Sequence, residues 1–336
     1  MAETGDSAAE EKEGQAAFRC LLEEQYEQQM REVETRMAAI RQEGKFFVSG
    51  GALYYELYPR KEASATIVIC HGFCESSEKY WEFIHYFYSA GFQVAVWDQR
   101  GHGKSFREGT DANVVHVEDF EEYVKDLHVF MEKVVKPFSA GGRLYLYAHS
   151  MGGCVGARYL EQYPADFEKA VLNAPMLAIH TGPCPLPAAK AVCDAAKLLG
   201  RGKKRLFTHH AFRPQVPFAR SCTDSEARYA YYHKKRLQNA CYQTSAASYA
   251  WGSTAIRAGY RAVCRKNARL VEIPVLLCQA GKDKQVRASS QKKFIKRIQN
   301  GSLCTYPASK HELYRAQNAV LQPYMETLLQ FFESTF

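Results

Sequence analysis

A serine stands in AHSMGG (148–153), where the apolar run RLYLYAHS (143–150) gives way to a stretch with helical spacing. A strand that turns sharply into a helix displays the residue at the turn, so this is the setting of a nucleophile elbow. Small neighbours let the backbone fold tightly, and the Ser150 hydroxyl is then presented beside the positive end of the following helix. Ala148 occupies the position where glycine is usual. A plain turn serine is the bland alternative, and it leaves the strand before and the helix after without a reason.

A serine hydroxyl is a weak nucleophile at neutral pH and needs a base, ordinarily a histidine held in one tautomer by a carboxylate. Hydrolases with such an elbow present the three groups in the order Ser, Asp, His. Asp283 follows the apolar strand IPVLLCQA (273–280), and His311 lies in YPASKHELY, after the last short strand. Taken singly, either could be an ordinary loop residue; order and position together favour a triad of Ser150, Asp283 and His311. Acyl transfer also needs two backbone N–H groups aimed at the developing oxyanion. Met151, next after the serine, is one candidate donor, and Phe73, in the loop of IVICHGFCESS, is the other.

These groups need a scaffold that brings distant loops to one edge. After KFFVSGGALYYELYP, a hairpin turning at Gly50-Gly51, the sequence predicts strands at 65–70, 93–98, 143–150, 169–176, 273–280 and 302–306. Helices are expected near 79–90, 117–135, 151–163, 286–299 and 316–335. Continuous apolar strands alternating with helices indicate a mostly parallel sheet covered on both faces, an α/β class. Almost a hundred residues separate two of the strands, and the interval 178–256, basic and broken early by proline, reads as a helical cap. Residues 10–43 carry Phe18, Leu21, Leu22, Tyr26, Met30, Val33 and Met37 at three- and four-residue steps, which predicts one long amphipathic helix. Packing on its own chain is the favoured reading of that stripe, with dimerisation or membrane-surface contact as alternatives. The organisation expected is therefore an extension over 1–44, a core over 45–177 and 257–336, and a cap over 178–256.

HGFCESSEKY (71–80), WDQRGHGKS (97–105), AHSMGG, the Asp283 loop and the His311 phrase, in this order, resemble the monoacylglycerol lipase and bacterial lysophospholipase branch of the α/β-hydrolases, the serine aminopeptidase-like hydrolases. The resemblance covers about 45–335, and its motifs are specific as a set. It implies the α/β-hydrolase fold with an inserted cap over an acyl-binding cleft. It assigns the triad to Ser150, Asp283 and His311 and the oxyanion donors to Phe73 and Met151, with no cofactor. Ala148 departs from the pattern, as do Phe73 and Cys74, where small residues are frequent; a bulky Phe73 bears on acyl chain length. The first 44 residues have no counterpart in it.

Several chemically capable residues have quieter readings. His71, His102 and His149 sit in motifs where histidine organises a loop, Asp98 and Arg100 pin the neighbouring one, and Cys154 belongs to the core. The 11 cysteines show no C-x-x-C pair and no zinc spacing, which favours reduced thiols and no metal. No apolar run approaches the roughly 20 residues of a membrane span, and the N-terminus lacks the marks of a secretory signal, so the expected location is cytoplasmic. The net charge of +8 is uneven: residues 1–44 hold 11 acidic and 5 basic side chains, leaving 25 acidic and 39 basic beyond them. A basic body favours anionic partners; without a nucleic-acid reading module, HKKR (233–236) and GRGKKR (200–205) are either solvated surface or lipid-headgroup attractors at the inner membrane surface.

The leading functional expectation is hydrolysis of an acyl-lipid ester, a lysophospholipid or a monoacylglycerol, through an acyl-serine. The alternatives are a small-substrate esterase, thioesterase or peptidase, since the triad chemistry is shared, and a catalytically silent binding module of the same fold.

Overall fold

The structure, a computed structural model, describes residues 18–334. In chain order its elements are α1 (Tyr26–Ile40), β1 (Gln42–Val48), β2 (Gly51–Tyr58), β3 (Thr66–Cys70), α2 (Trp81–Ser89), β4 (Gln93–Trp97) and β5 (Val114–Val115). There follow α3 (Glu121–Phe130), carried on through a π-helical turn at Met131–Val135 into α4 (Lys136–Ser139), then β6 (Leu144–His149), α5 (Met151–Leu160) and β7 (Lys169–Asn173). The interval expected to form a cap contributes α6 (Leu186–Leu198), α7 (Glu226–Gln238), β8 (Ala246–Ala247) and the start of α8 (Tyr249–Val263). The chain closes with α9 (Arg265–Ala268), β9 (Val275–Ala280), α10 (Ala288–Ile295), β10 (Gly301–Tyr306) and α11 (Asn318–Glu333).

Eight strands form one sheet in the order β1-β2-β4-β3-β6-β7-β9-β10. β1 pairs antiparallel with β2 and β2 with β4, and the remaining neighbours are parallel. Side chains alternate across a strand, so a strand buried on both faces must be apolar throughout. In TIVIC, Val68 and Cys70 enter the core under α3, α5 and α8, while Ile67 and Ile69 enter the opposite one with α1, α2 and α11. Parallel pairing puts the C-terminal ends of β3, β6, β9 and β10 at one edge, and the loops bearing Phe73, Ser150, Asp283 and His311 all leave from it.

The helix expected over 10–43 is shorter. Residues 10–17 lie outside the described residues, Phe18 to Leu22 are not helical, and α1 ends at Ile40 because Arg41 is extended. Gln42 and Glu43 are claimed instead by the β1–β2 ladder, pairing with Leu57 and Glu56, so position 44 falls inside a strand. Tyr26, Met30, Val33 and Met37 form the buried stripe, spent on the chain's own core and unavailable to a second copy or a membrane. α8 runs unbroken through position 256, the expected end of the cap, to Val263. Among the described residues no helix is long and apolar enough to cross a membrane. All eleven cysteines are unpaired.

Candidate active site

Ser150 occupies the turn between β6 and α5 with φ 52° and ψ −114°, a backbone state costly for any residue with a side chain. Three backbone bonds hold it there: its N–H donates to Asn173 O at 3.0 Å, and its carbonyl accepts from Met176 at 2.8 Å and Cys154 at 3.1 Å. The turn also needs α5 pressed against β3. A Cβ on Gly152 would lie 2.2 Å from Cys70 O, which fixes glycine at that position. Across from Ala148, a Cβ on Gly156 would meet its methyl at 3.1 Å, so Gly156 leaves the room that the missing elbow glycine would otherwise supply.

His311 joins the other two groups. Its Nε2 lies 2.8 Å from Ser150 Oγ and its Nδ1 lies 2.7 Å from Asp283 Oδ2. An ionised carboxylate can only accept, so Nδ1 carries the proton and Nε2 is left bare to take the serine hydroxyl's. The other Asp283 oxygen accepts the N–H groups of Gln285 at 2.7 Å and Val286 at 3.1 Å. Burial opposes ionisation of this carboxyl, but the hydrogen bond and charge of His311 and these two N–H groups outweigh it and hold it below the usual carboxylate range. The arrangement can deprotonate Ser150 and stabilise the imidazolium that results.

Of the two expected oxyanion donors, Met151 follows the serine in sequence and Phe73 lines the same cavity as Ser150. Among the described residues, the N–H groups of Phe73 and Met151 have no acceptor within the chain. His71 orients the first: its Nδ1–H donates to Gly72 O at 2.8 Å, while Nε2 accepts from Gln99 N–H at 3.0 Å. A trans peptide directs its carbonyl and its N–H to opposite sides, so tying Gly72 O to His71 turns the Phe73 N–H the other way. The Phe73 ring lies 4.3 Å from Trp251, packed rather than free.

Burial lowers the His71 and His149 imidazoles to about 4, so both rings are neutral scaffolding at ordinary pH. His149 is held by Asn173 at 2.9 Å and 3.2 Å, and His102 by Arg100 O at 3.0 Å. Asp98 accepts from the backbone of Ser77 at 2.7 Å and of Lys104 at 2.8 Å, and Arg100 grips Asp126 with bonds of 2.6 Å and 2.7 Å. Cys154 is fully buried.

One cluster went unread in the sequence. Glu75, buried under the oxyanion loop, accepts Gly72 N–H at 2.7 Å, Tyr80 OH at 2.6 Å, Tyr314 OH at 2.8 Å and Lys79 Nζ at 2.7 Å. Lys79 donates equally, at 2.7 Å, to Glu312, the residue next to His311. It thereby ties the loop of Phe73, one expected oxyanion donor, to the loop carrying His311. Glu75, Lys79 and Tyr80 were visible as a motif, but Glu312 enters from the far end of the chain.

The site opens into a cavity of about 750 Å³, a size suited to a small organic or lipid ligand. Phe73, Met176, Ile179, Trp251 and Val286 give it an apolar lining.

Comparison with known proteins agrees with this architecture. Residues 61–318 match the family described as Serine aminopeptidase, S33. Lysophospholipase L2 of Escherichia coli K12 is 27% identical over 274 residues, 79% of each chain. The monoacylglycerol lipase of Mycolicibacterium smegmatis is 29% identical over 167 residues, 49% of this chain and 56% of its own. Among solved structures, a soluble variant of monoglyceride lipase from Saccharomyces cerevisiae, bound to a substrate analog, superposes with a TM-score of 0.72 at 17% identity, covering 88% of this chain and 97% of its own.

Proposed function

Because the chain belongs to the serine aminopeptidase S33 family of α/β-hydrolases, we propose that Ser150, His311 and Asp283 hydrolyse the carboxylic ester of an acyl lipid, a lysophospholipid or a monoacylglycerol. The observation that carries the reading is His311 bridging Ser150 Oγ at 2.8 Å and Asp283 at 2.7 Å at the floor of a large, partly apolar cavity. Ser150 Oγ attacks the ester carbonyl as its proton passes to His311 Nε2, and the oxyanion takes the N–H groups of Phe73 and Met151. The intermediate collapses, the ester C–O bond breaks, and the imidazolium protonates the departing glycerol oxygen. Water then attacks the acyl-serine, giving its proton to His311; collapse frees the fatty acid and returns the proton to Ser150. Asp283 stays ionised throughout and steadies the imidazolium. No step requires a cofactor.

The cap offers a way to reach such a substrate at an interface. Leu198 is 89% exposed, Leu199 76% and Phe207 73%. Between them lie Arg201, Lys203, Lys204 and Arg205, all exposed and, among the described residues, without a carboxylate partner. Thr208 to His210, which follow directly, line the catalytic cavity. Apolar side chains beside free cations form a peripheral contact for an anionic bilayer, in keeping with a site of action at the inner membrane surface.

The test is a panel of glycerol esters and lysophospholipids incubated with the wild-type chain and Ser150→Ala, read by mass spectrometry. Fatty acid release by the wild type alone supports the reading, and a sharp optimum at acetyl or butyryl esters would replace it with a small-substrate esterase. A wild type that neither turns over any ester nor reacts with a fluorophosphonate would be a silent module. Co-sedimentation with phosphatidylglycerol vesicles, lost on changing Leu198, Leu199 and Phe207 to serine, tests the membrane contact.

A further inference from the structure

We infer that the catalytic cavity selects esters whose head group carries a phosphate, through Arg213, Arg220 and Arg236 of the cap; this rests on the acyl-lipid reading above. Residues 178–256 contain 12 lysines and arginines against 3 acidic residues, so the cap is as cationic as the whole chain, whose net charge is +8. Most of that charge faces solvent, but three of the guanidinium groups line the cavity that holds Ser150 and His311.

None of the three is neutralised. Among the described residues Arg213, Arg220 and Arg236 make no ion pair. The only carboxylates along the described lining are Glu75 and Glu312, and both are already engaged by Lys79, with Arg315 adding a second cation to Glu312 at 3.0 Å. The cavity therefore presents uncompensated positive charge to whatever enters. Arg236 is also fixed in place. Its Nε donates to Tyr242 O at 2.9 Å and one terminal nitrogen to Thr244 O at 3.2 Å, and its guanidinium lies 4.7 Å from the centre of the Phe212 ring. The remaining N–H groups are left to bond a ligand, and a held guanidinium loses little freedom when it does so.

Apolar contacts come mainly from the loop after β3, the segment after β7 and α8, in Phe73, Met176, Ile179 and Trp251; the three arginines all come from the stretch 213–236, which adds Val216 and Pro217. An acyl chain suits the first set. A planar guanidinium matches phosphate oxygens in pairs, and several together outbid water for them, which a neutral glycerol hydroxyl cannot exploit. The structure thus favours a lysophospholipid with an anionic head over a neutral monoacylglycerol of the same acyl chain.

The experiment compares kcat/KM for 1-octanoylglycerol 3-phosphate and 1-octanoylglycerol, both as monomers, on the full chain. The phosphate ester is expected to be favoured by about tenfold or more. That ratio should fall toward one in Arg236→Gln, in the pair Arg213→Gln/Arg220→Gln, and in wild type as salt rises. The pair variant changes two exposed side chains that have no partner among the described residues, and fluorophosphonate labelling of Ser150 checks that each variant is assembled. Equal rates on the two esters, or a preference that survives both variants, would overturn the head-group assignment and leave the lipid-ester reading standing. Turnover of neither ester by a labelled wild type would overturn both.

Discussion

His311 Nε2 lies 2.8 Å from Ser150 Oγ across 161 residues of chain. No local sequence preference can hold two residues so placed. The contact exists because β6 and β10 run parallel in one sheet and deliver their following loops to the same edge.

Ser150→Ala should abolish turnover, with kcat falling on the order of a million-fold, while substrate still binds. Equilibrium binding of a lysophospholipid to the variant, alongside its missing reaction with a fluorophosphonate, checks both halves.

Asp283→Asn keeps the shape but removes the carboxylate that fixes the His311 proton on Nδ1. A loss of about 10⁴ in kcat with little change in KM is expected. A variant within tenfold of wild type would mean that another group orients the imidazole.

Gly152→Ala tests the elbow. The new methyl would fall 2.2 Å from Cys70 O, a backbone atom that cannot swing aside, so α5 must move off β3 and carry Met151 N–H with it. Displacement by about 1 Å at such a site costs roughly a hundredfold in rate. Steady-state kinetics on a variant with native circular dichroism gives the comparison.

Arg228, wholly buried in α7, links that helix to α2 and to both ends of the chain's described stretch: it bonds Glu82 at 2.7 Å and 3.0 Å, Glu23 at 3.1 Å and Ala316 O at 3.1 Å. Arg228→Met strands the Glu82 carboxylate and should cost about 3–5 kcal/mol of stability. Adding Glu82→Leu should recover much of that loss, which urea unfolding of the single and double variants measures.

The neutral buried histidines set an acid limit. His71 and His149 titrate near 4 in the fold against about 6.5 when unfolded, so between those values the unfolded chain binds more protons. Stability from these rings is complete above about pH 6.5 and drains away as pH falls through about 4. Each contributes on the order of 3 kcal/mol across that window. Urea midpoints measured from pH 7 to 4 should decline accordingly, and a flat profile would mean that the rings take up protons without unfolding.

The reach of the sequence follows physical range. The strands TIVIC and LYLYAH were legible because burial on both faces demands unbroken apolar runs, and Ser150 because strand, small residues and helix are contiguous. Asp283 and His311 were found by their order after Ser150 and by their places in loops that follow apolar strands. The N-terminal helix was overextended because Gln42 and Glu43 suit a helix, and only pairing with β2 makes them strand. Lys79 bridging Glu75 and Glu312, and Arg228 meeting Glu82, stayed hidden because a buried charge looks like a surface charge until its partner arrives from elsewhere in the chain.

The central claim is that Ser150 carries the acyl group between the two half-reactions. Rapid acid quench of the wild type during turnover of a lysophospholipid, followed by peptide mass spectrometry, tests it directly. The account predicts the acyl mass on the peptide containing Ser150, at an occupancy that rises within the first turnover. An adduct on a different residue, or unimpaired fatty acid release by Ser150→Ala, would contradict it.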